Sequence, residues 1–238
     1  MAHRGATGES RIENTLDAFR KALAMGADYL ETDVRATKDG VAILMHDENL
    51  ERLGGDKTNI ADLNFAEVQT MCRTSGFEVA TLLEALTEMP ESKFNLDIKH
   101  TSACSPTAEI INSLAAFDSV LVSSFSSARS KGTHKLLQRK VAKSASAETV
   151  IMCWLICKLN LPTSWLARVL TGIDALQVPV KQGFMSFANE RMILRLNKLG
   201  VEMHFWVINS RVEAKALVAM GAAGIVTDDV PEIVAGLR

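Results

Sequence analysis

Three acidic residues on two short segments are the first candidates for chemistry. Glu31 and Asp33 alternate with Thr32, so on a strand both side chains leave on the same face. Asn95, Asp97 and Lys99 repeat that spacing with apolar residues between them. Two carboxylates on one face repel, and burying them is costly unless a cation or hydrogen-bond donors compensate. Carboxylates from two adjacent strands would supply oxygen ligands for a hard divalent ion such as Mg2+ or Ca2+. The plainer alternative leaves each acid solvated at a strand end or paired with Arg35, Lys38 or Lys99.

His3 and Arg4 end a first short strand, immediately before Gly5 allows a sharp turn. A histidine titrates near neutrality and serves as general acid or base, and an arginine offers a fork suited to phosphate oxygens. Residues so near a terminus also fray, so this triplet alone is weak. Glu13 and Asn14 lead into the first helix. Asn14 reads as its N-cap with Asp17 in the first turn, a role that leaves Glu13 unexplained.

Positioning these groups requires a repeating scaffold. Short strand-like segments at 2–4, 28–33, 94–99, 120–124, 140–144, 175–178, 203–208 and 224–227 alternate with helical periodicity at 15–25, 81–89, 107–117, 127–138, 147–159, 187–199, 212–220 and 231–237. Eight such units predict an α/β fold, a (β/α)8 barrel formed by one domain over residues 1–238, in preference to an open doubly wound sheet. One segment breaks the rhythm. The apolar run 41–45 follows Asp33 too closely for a parallel crossover, so it predicts a β-hairpin excursion after the second strand, turning at Lys38-Asp39-Gly40. The returning strand is expected to set His46 across from Glu31.

The composition narrows the classes of function. The chain has 238 residues, 26 Lys+Arg against 28 Asp+Glu and a net charge of −2, which gives no electrostatic reason to expect nucleic acid as a partner. The longest uninterrupted apolar run, 150–157, is far short of the roughly 20 residues that cross a bilayer, so no transmembrane segment is expected. No secretory leader is readable before the first strand. Cys72, Cys104, Cys153 and Cys157 are scattered, which predicts reduced core thiols and a cytoplasmic location. Nothing sets the oligomeric state, and a homo-oligomer stays open. The stretch 150–161, with Trp154 and Trp165, reads as helix packing, with a lipid-facing surface as its alternative. His100 and His134 read as structural and solvated. His204, on the penultimate strand, belongs to the barrel interior or the substrate pocket.

Taken together these residues resemble the glycerophosphodiester phosphodiesterase family, a branch of the barrel phosphodiesterases related to phosphatidylinositol-specific phospholipase C. The ordered series is His3-Arg4-Gly5, Glu13-Asn14-Thr15, Glu31-Thr32-Asp33-Val34, Thr37-Lys38-Asp39-Gly40, His46-Asp47, Asn95-Leu96-Asp97-Ile98-Lys99, Ser123-Ser124-Phe125, Trp206-Val207-Ile208-Asn209 and Gly224-Ile225-Val226-Thr227-Asp228. The resemblance implies metal-dependent hydrolysis of a small-molecule glycerophosphodiester to glycerol 3-phosphate and an alcohol. It implies Glu31, Asp33 and Asp97 as ligands of a divalent cation, Mg2+ or Ca2+, and His3 and His46 as the acid/base pair. Arg4 and Lys99 would neutralise the phosphate, Glu13 would support the site from its edge, and Trp206 would wall the glycerol pocket. The attacking oxygen is either water or the substrate's own hydroxyl.

The sequence departs from the family pattern in four ways, one being a first strand with only two residues before His3. Asp97 replaces the usual Glu, Ile12 stands where proline is common, and Val207 stands where threonine is common. Two rival readings follow: a phospholipase D-like activity on lysolipids, which requires an exposed apolar rim beside the pocket, and a barrel that binds phosphodiesters without turnover.

Overall fold

The chain opens with β1 (Ala2–His3), which pairs in parallel with Leu30 and Glu31 of β2 (Tyr29–Ala36). The computed structural model describes residues 1–7, 12–53 and 55–237. Between the two strands, α1 (Leu16–Ala24) starts at Thr15, whose hydroxyl accepts a hydrogen bond from the Ala18 amide. The N-cap is therefore Thr15 and not Asn14. The helix stops at Gly26, whose φ of 93° suits a residue without a Cβ. Ala18, Phe19 and Ala22 face the core, and Phe19 meets Phe94 edge to face at 6.0 Å.

β3 (Ala42–Leu44) runs antiparallel to β2, pairing Val34 with Leu44 and Ala36 with Ala42. The expected hairpin is present, but its register is one residue from the expected one. Thr37 N donates to Val41 O at 3.0 Å and Gly40, at φ 83°, donates to Thr37 O, so the loop holds three residues centred on Asp39. Met45 N consequently reaches Asp33 O, and His46 falls level with Thr32 and not with Glu31. The excursion continues through α2 (Phe65–Thr74) and α3 (Leu82–Glu88). The sequence reading missed α2, although Phe65, Val68 and Cys72 are at helical spacing; Val68 and Cys72 pack on Ile43, Leu50 and Ile60 beneath the hairpin.

The remaining elements alternate as predicted: β4 (Lys93–Ile98), α4 (Cys104–Ser113), β5 (Val120–Ser123), α5 (Ser127–Leu136) and β6 (Ala142–Lys143). Then come α6 (Ala147–Lys158), α7 (Thr163–Val169), β7 (Ala175–Val178), the hairpin β8 (Lys181–Gln182) and β9 (Met185–Ser186), and α8 (Glu190–Asn197). β10 (Glu202–Phe205), α9 (Arg211–Ala219), β11 (Gly224–Ile225) and α10 (Val230–Leu237) complete the order. α4 begins three residues earlier than expected, with Pro106 in its first turn, where no amide hydrogen is required. Pro162 ends the apolar stretch after α6 and caps α7, and neither α7 nor the short β8–β9 hairpin was anticipated.

The parallel strands run β1–β2–β4–β5–β6 and β7–β10–β11. Two seams join them: Ala145 N donates to Ala175 O at 2.8 Å beside the Ser144–Ala175 bridge, and His3 N donates to Thr227 O at 2.8 Å beside the Ala2–Thr227 bridge. The eight staves form the (β/α)8 barrel that the sequence predicts, with the excursion after the second. One apolar cluster around Leu30, Phe94 and Leu96 backs the first half; another, around Cys153, Leu176, Met192 and Phe205, backs the second. Among the described residues no helix is long and apolar enough to cross a membrane.

Candidate active site

The register of β2 and β4 sets Asp33 beside Asp97, with Glu31 and Asn95 two residues below on the same face. Lys99 follows the end of β4 and turns back over the pair: its Nζ lies 2.7 Å from Asp33 Oδ1 and 2.7 Å from Asp97 Oδ2. Burial disfavours the charged form of Asp33, but Lys99 and Arg4 outweigh it and its pKa falls below the ordinary value. The same burial raises the pKa of Asp97, Lys99 only partly opposing it. Glu31 is raised furthest, by burial first and then by the charges of Asp33 and Asp97. The Lys99 ammonium loses solvation too, but its two carboxylate partners hold its pKa above the ordinary value.

Arg4 sits at φ 56°, a left-handed conformation unusual for a residue with a side chain. That turn directs its amide to Glu31 Oε2 at 3.0 Å and its guanidinium to Glu13 Oε1 at 3.1 Å, with Nε 3.1 Å from Asp33 Oδ2. Asn14, also left-handed at φ 58°, is buried: its Nδ2 donates to Asp33 Oδ2 at 3.0 Å and its Oδ1 accepts from Thr32 Oγ1 at 2.7 Å. Asn14 thus fixes β2 to the loop after β1, a role its cap-like sequence context concealed.

Each histidine of the pair is oriented by a neighbouring carboxylate. His3 Nδ1 is 2.7 Å from Asp228 Oδ1, and His46 Nδ1 is 2.8 Å from Asp47 Oδ1. A proton held on Nδ1 by these contacts leaves Nε2 of each ring for another partner. Arg35 clasps the His46 carbonyl oxygen from Nε at 3.0 Å and Nη2 at 2.8 Å. Arg52 links Asp47 Oδ2 to Glu13 Oε1, at 2.5 Å each, so Glu13 joins Arg4 to the His46 loop. In the sequence, Asp47 and Asp228 stand in the quoted motifs without an assigned role, Arg35 reads only as a possible partner of the acids, and Arg52 is not singled out.

A cavity of about 350 Å³ at the C-terminal ends of the staves is lined by His3, Arg4, Glu31, Asp33, His46, Asp97, Lys99 and Trp206. Trp206 meets Phe125 edge to face at 6.1 Å. A larger cavity of about 690 Å³ opens at the opposite end, where His204 and Glu202 contribute to the lining. Barrels of this kind do chemistry at the C-terminal end, and the charged set converges there, so the smaller cavity is the candidate site. His204 is a buried interior residue, 2.8 Å from Glu202 Oε2, with burial lowering its pKa. His134, expected in solvent, is half-buried against the Ser130 carbonyl; His100 caps the turn at Thr101–Ala103.

The donor chemistry suits a hard cation. Asp97 Oδ1 is buried without a hydrogen-bond partner, and Glu31 faces two acidic neighbours. Among the described residues, however, no three acidic, histidine or cysteine side chains surround a common point as ligands, and Asp33 is engaged by Lys99, Arg4 and Asn14.

Comparison with known proteins settles the family. The model of the glycerophosphoryl diester phosphodiesterase family matches residues 3–232. The chain belongs to this family. A Mycobacterium tuberculosis relative named "Probable glycerophosphodiester phosphodiesterase 2" is 32% identical over 228 residues, covering 96% of this chain and 86% of the relative. A lysophospholipase D of Rattus norvegicus is 26% identical over 278 residues, covering 96% of this chain and 82% of its own. The crystal structure of a glycerophosphodiester phosphodiesterase from Thermotoga maritima superposes with a TM-score of 0.77 at 25% identity, covering 100% of this chain and 97% of that one. Within this phosphodiesterase family, both histidines and all three carboxylates quoted from the sequence lie in the matched span.

Proposed function

We propose that the protein hydrolyses glycerophosphodiesters to glycerol 3-phosphate and an alcohol by histidine acid/base catalysis in the C-terminal cavity. The observation that carries this reading is the pair of imidazoles, each tied at Nδ1 to a carboxylate, at the mouth that also holds Arg4 and Lys99. A phosphodiester carries one negative charge and gains more at the transition state; Arg4 and Lys99 meet that charge, and losing one such group commonly costs on the order of 3 kcal/mol in the barrier. One Nε2 takes the proton of the attacking oxygen, and the other protonates the departing alkoxide. Trp206, held edge to face by Phe125, offers an apolar wall for the glycerol carbons.

Glu31, Asp33 and Asp97 are the residues that would hold a divalent ion, Mg2+ or Ca2+, consistent with the unpartnered Asp97 Oδ1 and the burial of Glu31 beside two acids. Such an ion supplies positive charge to phosphoryl oxygens. The span of the family match supports one domain over the chain, and four unpaired cysteines, three of them buried, support a cytoplasmic location. The test is glycerol 3-phosphate release from glycerophosphocholine, with and without chelator. Binding of the substrate without release under any divalent ion would replace this reading with that of a non-catalytic barrel.

A further inference from the structure

α6 has no polar face. Cys153, Trp154 and Ile156 are buried on its inner side, while Ile151, Met152 and Leu155 are exposed on the outer side and Leu159 follows just past its end. A surface helix of a globular protein ordinarily shows charged or polar residues there, so a helix apolar on both sides needs a cover. The patch does not stop at the helix. Phe184, 80% exposed at the tip of the β8–β9 hairpin, packs edge to face on Trp154 at 5.6 Å, and Ile151 and the exposed Phe125 also line the active-site cavity. The mouth therefore has a charged side, holding His3, Arg4 and His46, and an apolar side that continues outward as a surface.

The charge of this region differs from that of the whole. Between Thr149 and Asn189 the chain carries Lys158, Arg168 and Lys181 against Asp174, a net of +2 in a protein of net −2. All three cations are exposed, and among the described residues none forms an ion pair with a carboxylate; Glu148, at the start of α6, and Glu190, at the start of α8, are the acids that bound the segment. Lys158 lies over the Trp154 ring at 4.5 Å and near Phe184 at 5.9 Å, which sets a cation among the exposed apolar side chains. Aliphatic and aromatic side chains flanked by unpaired lysine and arginine are what an anionic lipid surface binds, through apolar area and charge together.

We propose that the face formed by α6 and the β8–β9 hairpin docks on an anionic bilayer, holding the active-site mouth against the lipid surface. The occupant is the membrane itself and not a second copy of the chain: the patch pairs apolar side chains with a net positive charge, which two identical faces would bring into repulsion. The proposal rests on the C-terminal cavity being the active site, and its test separates the two.

The experiment is flotation of the full chain with vesicles of phosphatidylcholine containing one-third phosphatidylglycerol, beside vesicles of phosphatidylcholine alone, with glycerophosphocholine hydrolysis measured on the same preparations. The wild type should float with the anionic vesicles. Met152→Glu/Leu155→Glu/Phe184→Glu should lower partition by roughly tenfold or more and leave hydrolysis of the soluble substrate unchanged, because none of the three lines the cavity. Lys158→Ala/Lys181→Ala should remove the preference for anionic lipid. Phe184→Ser alone, at a hairpin tip, serves if the triple variant does not fold. Failure of the wild type to float, or equal partition of wild type and variants, overturns the proposal. So does a dimer seen by sedimentation that the triple variant dissolves while vesicles are ignored. Vesicle binding that follows the stated pattern, with no hydrolysis by any preparation, supports the docking face and counts against the catalytic reading.

Discussion

Nδ1 of His3 lies 2.7 Å from Oδ1 of Asp228, so the first stave of the barrel and the turn after the last share one hydrogen bond across a separation of 225 residues. The contact does two things. It orients an imidazole toward the cavity, and it adds a side-chain tie to the seam where His3 N donates to Thr227 O. The hydrogen bond from His3, followed by that from Asn209 and the charges of His3 and Arg4, holds the Asp228 carboxyl below its usual pKa against the opposing effect of burial.

Asp228→Asn should therefore lower kcat on glycerophosphocholine by about 10- to 100-fold, the range for removing the group that orients a functional histidine. A depressed carboxylate contributes stability above its unfolded value of about 3.9, and loses it as the pH falls through the folded one. Thermal melts of wild type and variant should therefore converge below about pH 4. A variant with full kcat would show that His3 needs no orientation.

His46→Ala should cut turnover by at least about a hundredfold, the usual contribution of a general acid or base. Circular dichroism should show the fold retained, since the ring is partly exposed and Arg35 holds the backbone carbonyl and not the imidazole. Asp47→Asn should give a smaller loss in kcat with little change in KM. Equal losses in the two variants would indicate that the loop, and not the imidazole, had been disturbed.

Glu31 lies almost fully buried beside two acids, with its pKa raised by burial first and then by Asp33 and Asp97. A carboxyl raised in the folded state favours folding below its unfolded pKa of about 4.3 and loses that contribution as the pH rises. Glu31→Gln, neutral at every pH, should consequently raise the Tm of chelator-treated protein by a few degrees at pH 8, a shift on the scale of about 2–4 °C per kcal/mol. The gain should vanish toward pH 4. Divalent-ion affinity by calorimetry should fall in the same variant; equal affinity refutes the ligand assignment.

Lys99 is the shared partner of two buried carboxylates. Removing one member of a buried charge cluster leaves the others uncompensated, at about 3–5 kcal/mol. Lys99→Met should shift the urea midpoint accordingly and weaken glycerol 3-phosphate binding. An unchanged midpoint would mean that Asp33 and Asp97 lie in more water than the structure indicates.

Asn14 distinguishes capping from tethering. Asn14→Ser could still cap a helix but cannot reach Asp33, Thr32 and the Asp33 amide together, so it should destabilise by about 1–3 kcal/mol, as unsatisfied buried groups do. Wild-type stability in that variant would restore the cap reading.

Local pattern carried the features that depend on neighbours a few residues apart. Strand alternation placed Glu31 with Asp33 and Asn95 with Asp97 on common faces, the Lys38-Asp39-Gly40 turn announced the hairpin, and the order of short motifs resembled the family that the whole-chain match then showed. These are consequences of backbone periods of two and 3.6 residues and of turn chemistry, which a chain carries before it folds.

Features that depend on distant parts of the chain were out of reach. The hairpin register differs by one because setting His46 across from Glu31 centres the turn between Lys38 and Asp39, whereas the loop closed by left-handed Gly40 is centred on Asp39 and sets residue 46 level with residue 32. Asn14 was taken for a cap because its true partner, Asp33, is nineteen positions away across the barrel mouth. The apolar stretch 150–161 left helix packing and a lipid-facing surface both open: an apolar sequence states that a helix prefers to be covered, but which of its sides the neighbouring helices cover follows from their packing alone. Asp228 reaches His3 for the same reason, since barrel closure brings together two ends of a chain that no local rule connects.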